Sequence, residues 1–127
     1  MEKGDTVPEL KVTPDKYVTY RYAGASGDFN PIHIDEEFAK AVGLPGRILH
    51  GLWTMAQVAR AAEQAGGGFQ NLKRLSVQFR GMGQLEQEIT VTGSVAEAGD
   101  GRAVLELEAA QGDQKIIRNG QADISTA

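Results

Sequence analysis

The chain holds two histidines against seventeen Asp and Glu, so each imidazole is scarce and its position informative. His33 lies in Ser26-Gly27-Asp28-Phe29-Asn30-Pro31-Ile32-His33-Ile34-Asp35, five residues after Asp28. Proline fixes its own φ and pushes Asn30 out of the helical region, so this stretch is expected to be irregular, extended and stiff. A carboxylate and an imidazole held in fixed relation can bind one water and move its proton, which is general acid–base chemistry. His50 stands just ahead of Gly51, where a long apolar segment begins. A helix starting there turns unbonded amides, at the positive end of its dipole, toward whatever lies beside it.

Each residue also has an ordinary structural reading. Asp28 in a loop closes a turn or caps a helix as readily as it catalyses, and a lone His33 fits a half-buried ring with satisfied nitrogens. Asn30 either orients a catalytic pair or closes an Asx turn before Pro31, and the two roles are compatible. His50 reads as a residue that hydrogen-bonds loop backbone, and Gly51 as a glycine for helix packing. A zinc site from Asp28, His33 and His50 matches no standard ligand spacing. Ser26 belongs to no G-x-S-x-G elbow, and Gly66-Gly67-Gly68 lacks the lysine and following helix of a phosphate loop. Trp53 and Met55 read as core or tunnel wall, and no metal or organic cofactor is required.

The elements that must position these residues are legible in outline. Thr13-Pro14-Asp15 combines a capping hydroxyl, a proline and an acid, which predicts a helix from there to about Gly24. Asp35-Glu36-Glu37 opens a brief second helix that Gly43 stops. Gly51 to Ala65 is apolar almost all round, with Thr54, Gln57, Arg60 and Gln64 as a polar edge, so it is expected to be an interior helix. Leu52 and Val58 should then be enclosed, and truncating an enclosed Leu52 to Ala costs about 2 to 5 kcal/mol. Period-two alternation follows at Leu75, Val77 and Phe79, then Ile89, Val91 and Val95, then Ala103, Leu105, Leu107 and Ala109. Gly99-Asp100-Gly101 and Gly112-Asp113 read as hairpin turns, and Ile116 to Ile124 as a last strand with a bulge at Asn119-Gly120. The result is an α+β domain whose curved antiparallel sheet wraps a central helix.

Composition narrows the function classes. A chain of 127 residues predicts a single domain over residues 1–127. Its 41% hydrophobic and 24% charged content is that of an ordinary globular protein. A net charge of −4 has the wrong sign for nucleic acid or an anionic membrane surface as partner. The absence of cysteine excludes disulfides, thiolate zinc sites and a cysteine nucleophile. With no apolar leader, a soluble cytoplasmic protein is the expectation.

The run Tyr22-Ala-Gly-Ala-Ser-Gly-Asp-Phe-Asn-Pro-Ile-His-Ile-Asp35, followed by Ile48-Leu-His-Gly51, resembles the MaoC-like, or hydratase 2, family of hot-dog-fold enzymes. These act on enoyl thioesters and include R-specific enoyl-CoA hydratases and β-hydroxyacyl-ACP dehydratases. The resemblance runs from the first helix through the strands. It implies that Asp28 and His33 are the catalytic pair, that Asn30 helps hold the site, and that the Gly51 amide is an oxyanion donor. It further implies reversible hydration of a trans-2-enoyl thioester, carried on CoA or acyl-carrier protein, to an (R)-3-hydroxyacyl thioester by a dimer. The chemistry fits the residues, since hydration needs a base for water, a proton for Cα and a donor for enolate charge. A hot-dog thioesterase and one subunit of a heterodimeric dehydratase are the alternatives. The Asn-Pro-x-His element argues against the first, and the intact Asp28 and His33 make this chain the active half in the second. The sequence departs from the family at Arg80-Gly-Met-Gly-Gln-Leu-Glu-Gln87, where a proline and a Gly-Asp are common.

Overall fold

The computed structural model describes residues 1–127. In chain order the elements are β1 (Thr6–Val12), α1 (Val18–Ser26), α2 (Pro31–Ile34), α3 (Glu36–Ala41), α4 (Gly51–Gly66), a 3-10 turn at Phe69–Asn71, then β2 (Leu72–Phe79), β3 (Ile89–Gly99), β4 (Arg102–Gln111) and β5 (Gln114–Ser125). All strands pair antiparallel in one sheet of order β1-β3-β4-β5-β2. The sheet lies along α4, which touches every one of the five strands. This is the α+β hot-dog arrangement. No helix is long and apolar enough to cross a membrane.

The β3–β4–β5 meander follows the alternation that predicted it. Alternate residues Ile89, Val91, Leu105, Leu107, Ala109 and Ile124 point into an eighteen-residue apolar cluster that Val58, Ala61 and Ala62 of α4 complete. Gly99 pairs with Arg102 across Asp100 and Gly101, both at positive φ, which is the backbone a two-residue hairpin needs. The bulge in β5 is present: Leu107 faces Gly120 while Ala109 faces Ile117, and Asn119 takes the extra place at φ 52°. Gly93, Leu107 and Gly120 form one row across three strands. A Cβ on Gly120 would lie 2.7 Å from the Leu107 carbonyl oxygen, so close approach in this row requires glycine.

Four expectations need correction. β1 had no sequence signal because Val7 and Leu10, its two buried residues, are three apart. Pro8 and Glu9 lie in a register shift against β3 that breaks the period of two. The first helix starts at Val18, not at Pro14, and runs past Gly24 to a left-handed Gly27. Pro14 is buried, its carbonyl accepting from the Glu86 N–H at 2.7 Å, and so belongs to the chain before the helix. Asp15 accepts from the Tyr17 N–H and from the Arg21 guanidinium, and the Arg21 bond holds its carboxyl below the usual carboxylate range. The segment from Ser26 to Ile34 is not irregular throughout, because Asn30 is extended but Pro31 opens the one-turn helix α2.

The fourth correction concerns α4. The sheet covers one side of it, burying Thr54, Gln57, Val58, Ala61 and Ala62. Leu52 points away from the sheet and is 60% exposed, so it is not enclosed within the chain. Of the polar edge read from the sequence, Thr54 and Gln57 are buried. Gln57 is satisfied locally, donating to the Trp53 carbonyl at 3.2 Å and accepting from Arg60 at 2.7 Å.

Candidate active site

Three hydrogen bonds to main-chain oxygens fasten the segment that carries Asp28 and His33 to the segment that leads into α4. The Ile48 N–H donates to the Ile32 carbonyl at 3.1 Å, His33 Nδ1 to the Ile48 carbonyl at 2.8 Å, and His50 Nε2 to the Asp28 carbonyl at 3.0 Å. Arg47 adds a clip from outside: its guanidinium bonds Thr19 Oγ1 and the Lys16 carbonyl of the α1 region, approaches Glu36 of α3, and lies over the Tyr20 ring. Nothing in the sequence around Arg47 marked that role.

Asn30 caps α2, its Oδ1 accepting from the Ile32 N–H at 3.2 Å. The sequence reading that it closes an Asx-type turn before Pro31 is therefore what its side-chain oxygen does. The next link back is Asp28, whose Oδ1 accepts from the Asn30 N–H at 3.2 Å. Its other oxygen, Oδ2, faces His33 Nε2 at 3.9 Å. With Nδ1 donating to a carbonyl, Nε2 of neutral His33 carries the lone pair, so two acceptors face each other across a gap too wide for a direct hydrogen bond. The His33 ring is buried while half of the Asp28 side chain meets solvent, so the pair lies at the edge of the interior.

Gly51 is the first residue of α4, and its N–H is one of those a helix cannot bond internally. It has no positive φ, so backbone conformation does not demand glycine here. A Cβ would press on the Phe79 ring at 3.1 Å, and Phe79 itself is half exposed. The bare position therefore keeps both the amide and the adjoining ring accessible. Phe79 and Tyr22, whose ring packs on His50 at 4.7 Å, border the site; Tyr22 opens the motif and Phe79 ends an alternating run, but nothing in the sequence singled either out as a site residue.

The ligand atoms of Asp28, His33 and His50 lie within 4.8 Å of one another. They do not form a good metal set. The His33 and His50 rings are stacked, with centroids 3.9 Å apart and planes 22° apart, so their in-plane lone pairs run side by side rather than to a common point. His33 Nδ1 and His50 Nε2 are also already committed to carbonyls.

The model of the MaoC like domain matches residues 1–115. The chain is 35% identical over 107 residues to the fatty acid synthase subunit beta of Aspergillus oryzae, which covers 81% of this chain and 5% of that protein. It is 46% identical over 56 residues to the peroxisomal enoyl-CoA hydratase 2 of Arabidopsis thaliana, covering 44% of this chain and 17% of that one. The chain thus spans under a fifth of the curated relatives it matches. Among solved structures, the (R)-hydratase from A. caviae involved in PHA biosynthesis has the same fold, with a TM-score of 0.88 at 22% identity over 100% of this chain and 98% of that chain. With the family model covering most of its length, this chain belongs to the MaoC-like domain family.

Proposed function

We propose that this chain reversibly hydrates trans-2-enoyl thioesters to (R)-3-hydroxyacyl thioesters. The observation that carries the reading is the 3.9 Å gap between Asp28 Oδ2 and His33 Nε2, beside the N-terminus of α4. A water donating one hydrogen to each acceptor has a lone pair left for Cβ. As the C–O bond forms, one member of the pair takes the proton, and electron density moves through Cα to the thioester oxygen, where the Gly51 amide stabilises the enolate. The same proton then passes to Cα, so one water is added and no net proton is consumed. Asn30 supports this by holding the loop through its cap and its bond to Asp28. Kinship with an enoyl-CoA hydratase 2 supports the same reaction.

Leu52 in the first turn of α4 and Phe79 beside Gly51 are exposed apolar side chains, as are Phe29 next to Asp28 and Met82 in the loop after β2. A homodimer that covers some of these side chains and leaves a channel for the acyl chain belongs to the proposal. So does a cytoplasmic location, on the cysteine-free composition. The test incubates the purified chain alone with crotonyl-CoA and resolves the products. An (R)-3-hydroxybutyryl-CoA product supports the assignment, whereas release of free CoA makes the chain a thioesterase. An inert chain that gains activity with a second subunit makes it half of a heterodimer.

A further inference from the structure

We propose that His50 is a positioning residue that sets the stance of both Asp28 and His33, a role that rests on the hydratase reading above. Its ring is 2% exposed and touches both members of the pair. The Nε2–H donates to the Asp28 carbonyl at 3.0 Å, and the ring face stacks on His33 with centroids 3.9 Å apart. Tyr22 packs at 4.7 Å, tilted by 54°. His50 is also the N-cap residue of α4, so its backbone is continuous with Gly51. The water site and the helix amide are therefore referenced to one residue.

Packing alone does not account for a histidine in this place. With Nε2 as donor, Nδ1 carries a lone pair that is buried and has no partner. An unpaired buried acceptor costs stability that an apolar ring of similar size avoids. What the imidazole adds over such a ring is the Nε2–H donor. That donor holds the main chain of a residue whose side chain is half exposed. The bond fixes a place. With Oδ1 held by the Asn30 N–H and the carbonyl held by His50, Asp28 is anchored on both sides of its Cα, and Oδ2 is left to face His33.

The experiment compares His50→Phe, which keeps a ring for the stack but has no donor, with His50→Gln, which keeps an N–H donor. Each is made in the wild-type and the Asp28→Asn background and assayed with crotonyl-CoA, with the unfolding midpoint alongside. Misplacement predicts that His50→Phe lowers kcat roughly 10- to 100-fold, with KM and folding nearly unchanged. His50→Gln should recover most of that loss. In the Asp28→Asn background His50→Phe should change kcat by less than about twofold, because the carboxylate it positions is gone. Wild-type kcat in His50→Phe, equal losses in both backgrounds, or no recovery in His50→Gln would overturn the proposal. If His50→Phe does not fold, His50→Leu gives the same comparison with His50→Gln, and failure of all three to fold makes the residue structural and ends the proposal. A second readout needs no turnover. Asp28→Asn should shift the His33 Nε2 resonance in the wild type and do so much less in His50→Phe. A wild-type chain without hydratase activity thus removes the functional reading, while this coupling still decides the role of His50.

Discussion

Asp28→Asn and His33→Gln are expected to lower kcat roughly a hundredfold or more each, the usual contribution of a positioned acid or base. Because both atoms face one gap, the double variant should be little slower than the slower single variant, and steady-state rates of the three proteins check this. Near wild-type turnover in either single variant would remove the pair from the chemistry. At Gly51 the neighbour of an added side chain is a half-exposed Phe79 ring that can move aside, so Gly51→Val should fold. Its activity per folded molecule should nonetheless drop by about 3 to 4 kcal/mol of transition-state stabilisation if the amide serves the thioester oxygen. Unchanged turnover and affinity in a well-folded variant would place the donor elsewhere. These residues could be picked out beforehand because Asp28, Asn30 and His33 are close in the chain and their types imply a task. That His50 hydrogen-bonds loop backbone was legible, but which carbonyl it reaches and which ring it stacks on were not, since neither partner leaves a mark on residue spacing.

The two faces of α4 should respond differently to substitution. Val58 is fully buried against the sheet, so Val58→Asp places an unpaired charge in the core and should prevent folding. Leu52→Ala, in contrast, should cost the monomer under about 1 kcal/mol of folding stability, because within the single chain Leu52 is 60% exposed. Chemical denaturation of both variants at a dilution where the chain is monomeric measures this, and a loss near that of an enclosed leucine there would show that Leu52 packs within its own chain. The contrast marks how far an element can be read from its own residues. The length, start and stop of α4 follow from its apolar run and its glycines, but which side is covered depends on strands distant in the chain, β1 before it and β2 to β5 after it. Similarly β3, β4 and β5 announced themselves through alternation and hairpin turns. β1 stayed hidden because a register shift at Pro8 and Glu9 removes the alternation that identifies a strand.

At the scale of the molecule, the apolar face around Leu52 predicts association. Light scattering should give a dimer mass for the wild type and a monomer mass for Leu52→Asp, with the circular dichroism of the fold retained in both; a monomeric wild type would leave that face to another partner. The strand order has a consequence for how the chain reaches its structure. β1 pairs Thr6 with Ser94, and β2 pairs Leu72 with Ile124, so neither edge of the sheet can form from neighbouring sequence. Such distant pairings demand loop closure before any contact rewards it, and they slow folding. During synthesis the whole of α4 is present before four of the five strands it packs against. β5 is the last strand made and the one that joins β2 to the rest of the sheet. A chain ending before Gln114 should therefore not settle into a smaller version of this domain but remain uncooperative in thermal melts and prone to aggregate, its helix exposed and β2 without a neighbour.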